Sequence, residues 1–266
     1  VLAVSRARIP PTLGERARAA ARLRAAPGLR APGVSHFQLL GVEHRVIPSS
    51  RPVSERDVPD GDVVVATWWR TARWVAGLPA RKGAKAYFMQ DYGGAGQPEG
   101  RVAATFRLPL EIVTISPFLA GFVRERSGRE SHLVMNAVDL GVFRGEPRGR
   151  NARFTVGTLI SRAPQKGSDV CVRAMEAIRE REPGARFVCF GKQPRAGWVR
   201  SLSWLERHGT VPDETAAELY RSCDAWLFGS RREGFGLPVL EAMACRTPVV
   251  ATPAGAAPEL VAGGGG

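Results

Sequence analysis

Glu233 and Glu241, with seven residues between them, lie in the stretch Ser230-Arg-Arg-Glu-Gly-Phe-Gly-Leu-Pro-Val-Leu-Glu-Ala-Met-Ala-Cys245. The apolar run Ala225–Phe228 before it reads as a strand, the glycines as a turn and Pro238 as the opening of a helix. Gly234 and Gly236 let backbone approach a ligand closely, and the turn's amides together with the helix N-terminus make an anion site. Two carboxylates beside an anion site repel phosphate alone. They suit a ligand whose hydroxyls flank its phosphates, a sugar on one side and a ribose on the other. A solvated turn with one helix-start glutamate favoured by the dipole accounts for the same spacing.

The elements that must hold these residues alternate along the chain. Candidate strands are Asp62–Thr67, Ala84–Met89, Glu111–Ile115, His132–Met135, Arg153–Ile160, Arg186–Phe190, Ala225–Phe228 and Pro248–Ala251. Helical patterns fall between them at Arg70–Ala76, Pro117–Arg126, Ser168–Arg181, Glu214–Ser222 and Pro238–Ala244. Alternation of this kind specifies an α/β fold with parallel sheets, and apolar runs without a polar alternate imply burial on both faces. Ser116-Pro117 reads as an N-cap followed by proline at the first helical position. The composition break at Gly145–Asn151, with glycines, a proline and charges but no apolar residue, places a domain boundary there, giving domains over 1–147 and 148–266. Val1–Val4 begins within a strand pattern and Gly263–Gly266 stops in a turn, so both ends read as truncated.

The segment Glu233–Thr252 closely resembles the donor-site signature of family 4 (group 1) nucleotide-sugar glycosyltransferases of the GT-B fold. The likeness continues through Leu219–Ala225 before it and Gly255–Val261 after it, and Asn136-Ala-Val-Asp139 with Phe143 resembles the family's exit from its first domain. It covers roughly residues 60–266 and is specific in the second half, diffuse in the first. The resemblance implies two Rossmann-like domains facing a cleft, acceptor side first and donor side second. It assigns Glu233 to the donor sugar hydroxyls, Glu241 to the ribose hydroxyls, and the amides of Phe235, Gly236 and Leu237 to the diphosphate. Gly157 falls on the family's donor-binding Gly-Arg-Leu pattern, but Thr158 stands in the arginine position. Lys166-Gly167 fits the Lys-Gly that follows, and Arg162 is the nearest substitute cation. Arg246 stands where the family usually has glycine.

A departing diphosphate develops negative charge, and fixed cations can stabilise it. Lys166 and Arg162 are the candidates, and with no Asp-x-Asp motif to hold a divalent ion, neither a metal nor a cofactor is expected. An exposed helix-start lysine is the plainer account of Lys166. In doubly wound sheets ligands sit at strand C-terminal ends, which points to Gln90, Asp91 and Tyr92 on the acceptor side, and to Trp68 and Trp69. Packing between helices explains the tryptophan pair equally well. Both segments resemble a bacterial rhamnosyltransferase-like branch of the family. The implied activity is transfer of a sugar, with retention, from a nucleoside-diphosphate sugar to a glycan or lipid-linked acceptor in the bacterial cell envelope. Another sugar-nucleotide enzyme of the fold, an epimerase or phosphorylase, and an inactive binding fragment are the alternatives.

Composition bounds the rest. The 266 residues suit two domains, and 44% hydrophobic with 24% charged residues fits a globular chain rather than a disordered one. The cysteines Cys171, Cys189, Cys223 and Cys245 form no Cys-x-x-Cys pair, which excludes the usual zinc and disulfide spacings and fits a reducing compartment. A net charge of +13 comes largely from arginine, clustered at Arg16, Arg18, Arg22 and Arg24. No aromatic is interleaved with that cluster, so nucleic acid is not an expected partner. A solvated arginine-rich helix or peripheral contact with an anionic membrane remains, and the expected location is the cytoplasm, at the inner face of the membrane.

Overall fold

The computed structural model describes residues 2–6, 42–47, 51–93, 99–147, 149, 151–192 and 198–262. The arginine cluster at 16–24, residues 94–96 and the terminal glycines 263–266 lie outside the described residues.

In chain order the elements are β1 (Leu2–Arg6), β2 (Glu43–Ile47), β3 (Val63–Ala66), α1 (Trp69–Ala76), β4 (Ala84–Met89), α2 (Glu99–Ala103), β5 (Glu111–Thr114), α3 (Pro117–Ser127) and β6 (His132–Leu133). They continue with β7 (Thr155–Leu159), α4 (Ser168–Arg181), β8 (Arg186–Phe190), β9 (Leu205–Arg207), α5 (Asp213–Arg221), β10 (Ala225–Phe228), α6 (Leu237–Ala244), β11 (Val249–Ala251) and α7 (Ala257–Val261). The strands form a two-stranded sheet β1-β2, a four-stranded sheet β3-β4-β5-β6 and a five-stranded sheet β11-β10-β7-β8-β9. The pairings β1–β2, β5–β6, β7–β8, β8–β9, β7–β10 and β10–β11 are parallel. The chain divides into two compact units, Val1–Ala66 with Arg70–Ala86, and Thr67–Trp69 with Tyr87–Gly266. The segment Gly145–Asn151 lies within the second unit, between β6 and β7, so this division falls elsewhere than the composition break.

The five-stranded sheet carries the donor motif, and its strands are apolar on both faces because both are covered. On one face Val156, Phe187, Cys189 and Leu227 pack with Cys171, Val172 and Met175 of α4. On the other, Val188, Phe190, Trp226 and Phe228 pack with Ala217 and Tyr220 of α5 and Val239 and Ala242 of α6. At roughly 25 cal/mol per Å² of apolar surface removed from water, this double-sided burial is the main term fixing the strand ends in place. A single register holds it: Gly157 pairs with both Val188 and Trp226. An added Cβ at Gly157 would come within 2.4 Å of the Trp226 ring and 2.6 Å of Cys223 Sγ. Only glycine lets the indole lie across the strand.

In the four-stranded sheet, β5 leads into α3. Ser116 caps that helix with its side chain accepting from Leu119 N at 3.1 Å, and Pro117 occupies the first turn, where its missing N–H costs nothing.

Candidate active site

The donor-like turn leaves β10 after Phe228 and closes at Gly236, the N-cap of α6, whose φ of +103° suits glycine. Leu237 opens the helix and Pro238 takes its second position. Gly234 is buried, and a Cβ there would lie 2.0 Å from Gln90 O, so the turn is seated against the end of β4 by backbone approach alone. From the other side, Ser116 Oγ donates to Gly234 O at 2.8 Å. Phe235 is buried and its carbonyl accepts from Ala256 N at 3.2 Å. The turn is thus fastened at three points, and its backbone is fixed before any ligand arrives.

Glu233 sits at the head of this turn with a side chain 9% exposed. Lys166 Nζ donates to both of its carboxylate oxygens at 2.7 Å, and Ser230 Oγ donates to Oε1 at 2.8 Å. Lys166 closes a 3₁₀ turn, Pro164–Lys166, that ends in the left-handed Gly167 directly before α4. The two turns are bound together: Arg231 N donates to Gln165 O, and its guanidinium takes Asp169 bidentately at 2.8 and 2.6 Å. That guanidinium holds the Asp169 carboxyl well below the usual carboxylate range. A cavity of about 30 Å³ lies between the turns, lined by Lys166, Ser230, Glu233 and Pro238. It admits a water-sized group against the cation, the carboxylate and the start of α6.

Glu241 lies in the middle of α6, half-buried, with Tyr220 Oη donating to its Oε2 at 2.6 Å. Burial pushes the Glu241 carboxyl up, and the Tyr220 hydroxyl partly offsets that rise. On the acceptor side, Gln90 and Asp91 are exposed past the end of β4. Tyr92 packs edge-on against Phe118, with centroids 5.1 Å apart, and the Arg232 guanidinium lies 3.9 Å above its ring. Arg232 also donates to Tyr92 O at 3.2 Å. This stacking adds a second bond between the strand end and the turn.

The structure therefore gathers Lys166, Glu233, Gly234, Phe235, Gly236 and Leu237 around two adjoining turns, with Gln90 and Tyr92 against them. Arg162 is exposed on the loop just past β7, three residues after its last strand residue. Gly157 does not reach this loop region: it is internal to β7, and the space beside it is filled by Trp226 and Cys223. The neighbouring Thr158 is also buried, donating to Leu227 O at 2.9 Å, so that strand position faces the core and cannot carry a solvated cation. Trp68 is 40% exposed while Trp69 is buried, their rings edge-on at 5.8 Å. Sequence reasoning missed Ser230, Arg231, Arg232, Asp169 and Tyr220. Four of them lie within three residues of Glu233 or Lys166, and that adjacency was the available signal.

A larger cavity, about 770 Å³, opens at the opposite ends of β7, β10 and β11, lined by Asn151, Phe154, Asp224 and Arg246 among others. Of its two carboxylates, Glu182 and Asp224, the latter is already used: Asp224 accepts from Asn151 N, Asn151 Nδ2 and Thr155 N. Ligands of parallel sheets bind at the other strand ends, where the two turns are.

This architecture is an α/β fold with parallel sheets, and the solved structures it resembles are GT-B glycosyltransferases. One is Anabaena Alr3699/HepE in complex with UDP and glucose, with a TM-score of 0.69 at 19% identity over 97% of this chain and 82% of that one. Residues 151–266 match the family described as Glycosyl transferases group 1. Relatives include a D-inositol 3-phosphate glycosyltransferase of Actinosynnema mirum, 36% identical over 50% of this chain and 37% of its own length. An MMP alpha-(1->4)-mannosyltransferase of Mycolicibacterium hassiacum is 28% identical over 85% of this chain and 50% of its own length. The chain spans between about a third and a half of the length of these relatives.

Proposed function

We propose that the chain transfers a glycosyl unit, with retention of anomeric configuration, from a nucleoside-diphosphate sugar to a glycan or lipid-linked acceptor. The observation that carries this reading is the Lys166–Glu233 pair beside the start of α6. An ammonium has three N–H donors, and the two used on Glu233 leave a third for a phosphate oxygen. In the reaction the bond from the anomeric carbon to the diphosphate breaks and its electron pair leaves with the diphosphate. The acceptor oxygen bonds to the same face of that carbon, and its proton passes to the departing phosphate oxygen. Lys166, Arg162 and the amides of Phe235, Gly236 and Leu237 stabilise the charge that develops there. Glu233 holds the sugar hydroxyls and Glu241 the ribose hydroxyls. Residues 148–266 supply the donor side, and residues 1–147, with Gln90, Asp91, Tyr92, Trp68 and Trp69, supply the acceptor side.

Similarity to an O-antigen chain mannosyltransferase B of Escherichia coli and to a lipopolysaccharide core biosynthesis mannosyltransferase of Rhizobium meliloti supports an envelope glycan as the product. Among the described residues no helix is long and apolar enough to cross a membrane. We infer that a membrane-borne acceptor is met through the arginines in the sequence at 16–24, whose charge attracts anionic lipid. Co-sedimentation with anionic vesicles, released by salt, tests that contact. The transfer reading itself is tested by incubating the chain with UDP- and GDP-sugars and an acceptor panel. Release of nucleoside diphosphate with formation of an α-linked product from an α-linked donor is the expected result. A β-linked product, or no binding of any nucleotide, would overturn it.

A further inference from the structure

Tyr220 is fully buried, yet its one polar atom is spent on Glu241. Phe143, Phe190 and Trp226 enclose its ring, with centroids 6.2, 5.5 and 4.4 Å away. A phenol in such a cage has no rotational freedom, so its hydroxyl is a fixed donor aimed at one spot. That spot is Oε2 of Glu241, at 2.6 Å. The tyrosine stays protonated as a donor because burial and the facing carboxylate push its pKa well above the ordinary value.

We propose that Tyr220 is the positioning residue of the nucleoside subsite: its hydroxyl pins Glu241 by Oε2 and leaves Oε1 to accept from a ribose. The proposal rests on the glycosyl-transfer reading above. Without that bond the glutamate side chain, with three rotatable torsions, would have to be ordered by each incoming ligand, and affinity would fall accordingly. The hydroxyl also favours the ionised carboxylate against desolvation and against the negative charge of Asp213, while Cys245 is the other titratable group set against it. An ionised carboxylate is the form that accepts two hydroxyl hydrogen bonds.

The test is Tyr220→Phe, which keeps the ring and its cage. Calorimetry with UDP, GDP and inorganic pyrophosphate is run from pH 4.5 to 8, with Glu241→Gln and the double variant alongside. Nucleotide affinity should fall about tenfold, the scale of one hydrogen bond to a charged group. Pyrophosphate affinity should stay unchanged, and the acid limb of the nucleotide profile should move to higher pH. In the Glu241→Gln background, Tyr220→Phe should add little. Equal losses for nucleotide and pyrophosphate would show a merely structural tyrosine and overturn the proposal. So would an unshifted Glu241 carboxyl titration, followed by ¹³C NMR in the ligand-free Tyr220→Phe chain. That last readout needs no ligand, so it separates failure of the tyrosine's role from failure of the transfer reading. A wild-type chain that binds pyrophosphate but neither nucleotide would overturn the ribose assignment itself.

Discussion

Lys166 Nζ lies 2.7 Å from both carboxylate oxygens of Glu233, 67 residues further along the chain, on a carboxylate that is only 9% exposed. The cation is therefore the donor that satisfies both oxygens of a carboxylate with little access to water. Removing it leaves a nearly buried charge with Ser230 as its remaining donor. Lys166→Ala should cost about 1–2 kcal/mol of stability, discounted from the fully buried case because Lys166 is partly exposed. Turnover should fall more steeply, by about 100-fold or greater, since the same ammonium faces the leaving diphosphate. Urea denaturation and kcat on the same preparation check the two together, and a stability loss without a larger loss of rate would contradict the catalytic role.

Gly234 has no room for a side chain. Its missing Cβ would overlap Gln90 O at 2.0 Å, while Ser116 Oγ holds its carbonyl from another side. Gly234→Ala must push the turn off the end of β4, and should destabilise by about 1–3 kcal/mol. Because Glu233 moves with the turn, nucleotide affinity should fall too. Thermal melting with and without UDP reads both, and a variant with wild-type melting and binding would show that the seat is slack.

The sheet and the two turns were legible in the sequence because they rest on strong local signals. Ala84–Met89, Arg186–Phe190, Ala225–Phe228 and Ser168–Arg181 are found at the expected bounds, each being a largely apolar run or a helical period with clear ends. Leu205–Arg207 was not legible: two of its three residues are exposed and charged, and only pairing with β8 makes it a strand. Glu43–Ile47 is an equally polar strand that needs β1. At the site, the Glu-x7-Glu spacing pointed to the turn, while Gly157 and Thr158, placed by likeness to the Gly-Arg-Leu pattern, illustrate the limit of a motif match. A motif match fixes a position along the chain without saying which face of the strand it presents, and here both positions face the core.

Glu241 gives a pH signature of known sign. Burial raises its carboxyl above the ordinary 4.5, so the folded chain binds more protons than the unfolded chain in the window beginning there. Stability contributed by this group is then highest in acid and is lost as pH rises through 4.5 and the raised folded value. Glu241→Gln removes the titration. The difference in unfolding free energy, wild type minus variant, should decline across that window and level off above it. A difference that rises with pH would mean the carboxyl is depressed rather than raised.

Chelation separates fixed cations from a metal. The proposed mechanism assigns the diphosphate charge to Lys166, Arg162 and backbone amides, so turnover should persist in EDTA. Loss of activity that Mg²⁺ or Mn²⁺ restores would assign that charge to an ion instead.

Arg246 is the non-glycine residue with a left-handed backbone among the described residues, at φ 57°, in the turn between α6 and β11. The conformation explains why glycine is usual at this position in the family that the sequence resembles. Holding a residue with a Cβ there costs about 1–2 kcal/mol, against which glycine's extra unfolded-state freedom costs about 0.5–1 kcal/mol. Arg246 recovers part of its strain by donating Nε to Gly145 O at 2.9 Å, but that bond is exposed and so contributes little. Arg246→Gly should therefore be neutral to stabilising by up to about 1 kcal/mol, whereas Arg246→Ala keeps the strain, loses the bond and should be the less stable of the two. Neither should alter nucleotide affinity, since Arg246 lies beyond the C-terminal end of α6 while the two donor turns lie at its start. Chemical denaturation of both variants decides it: an alanine variant as stable as the glycine variant would mean that the left-handed backbone at this position carries no strain.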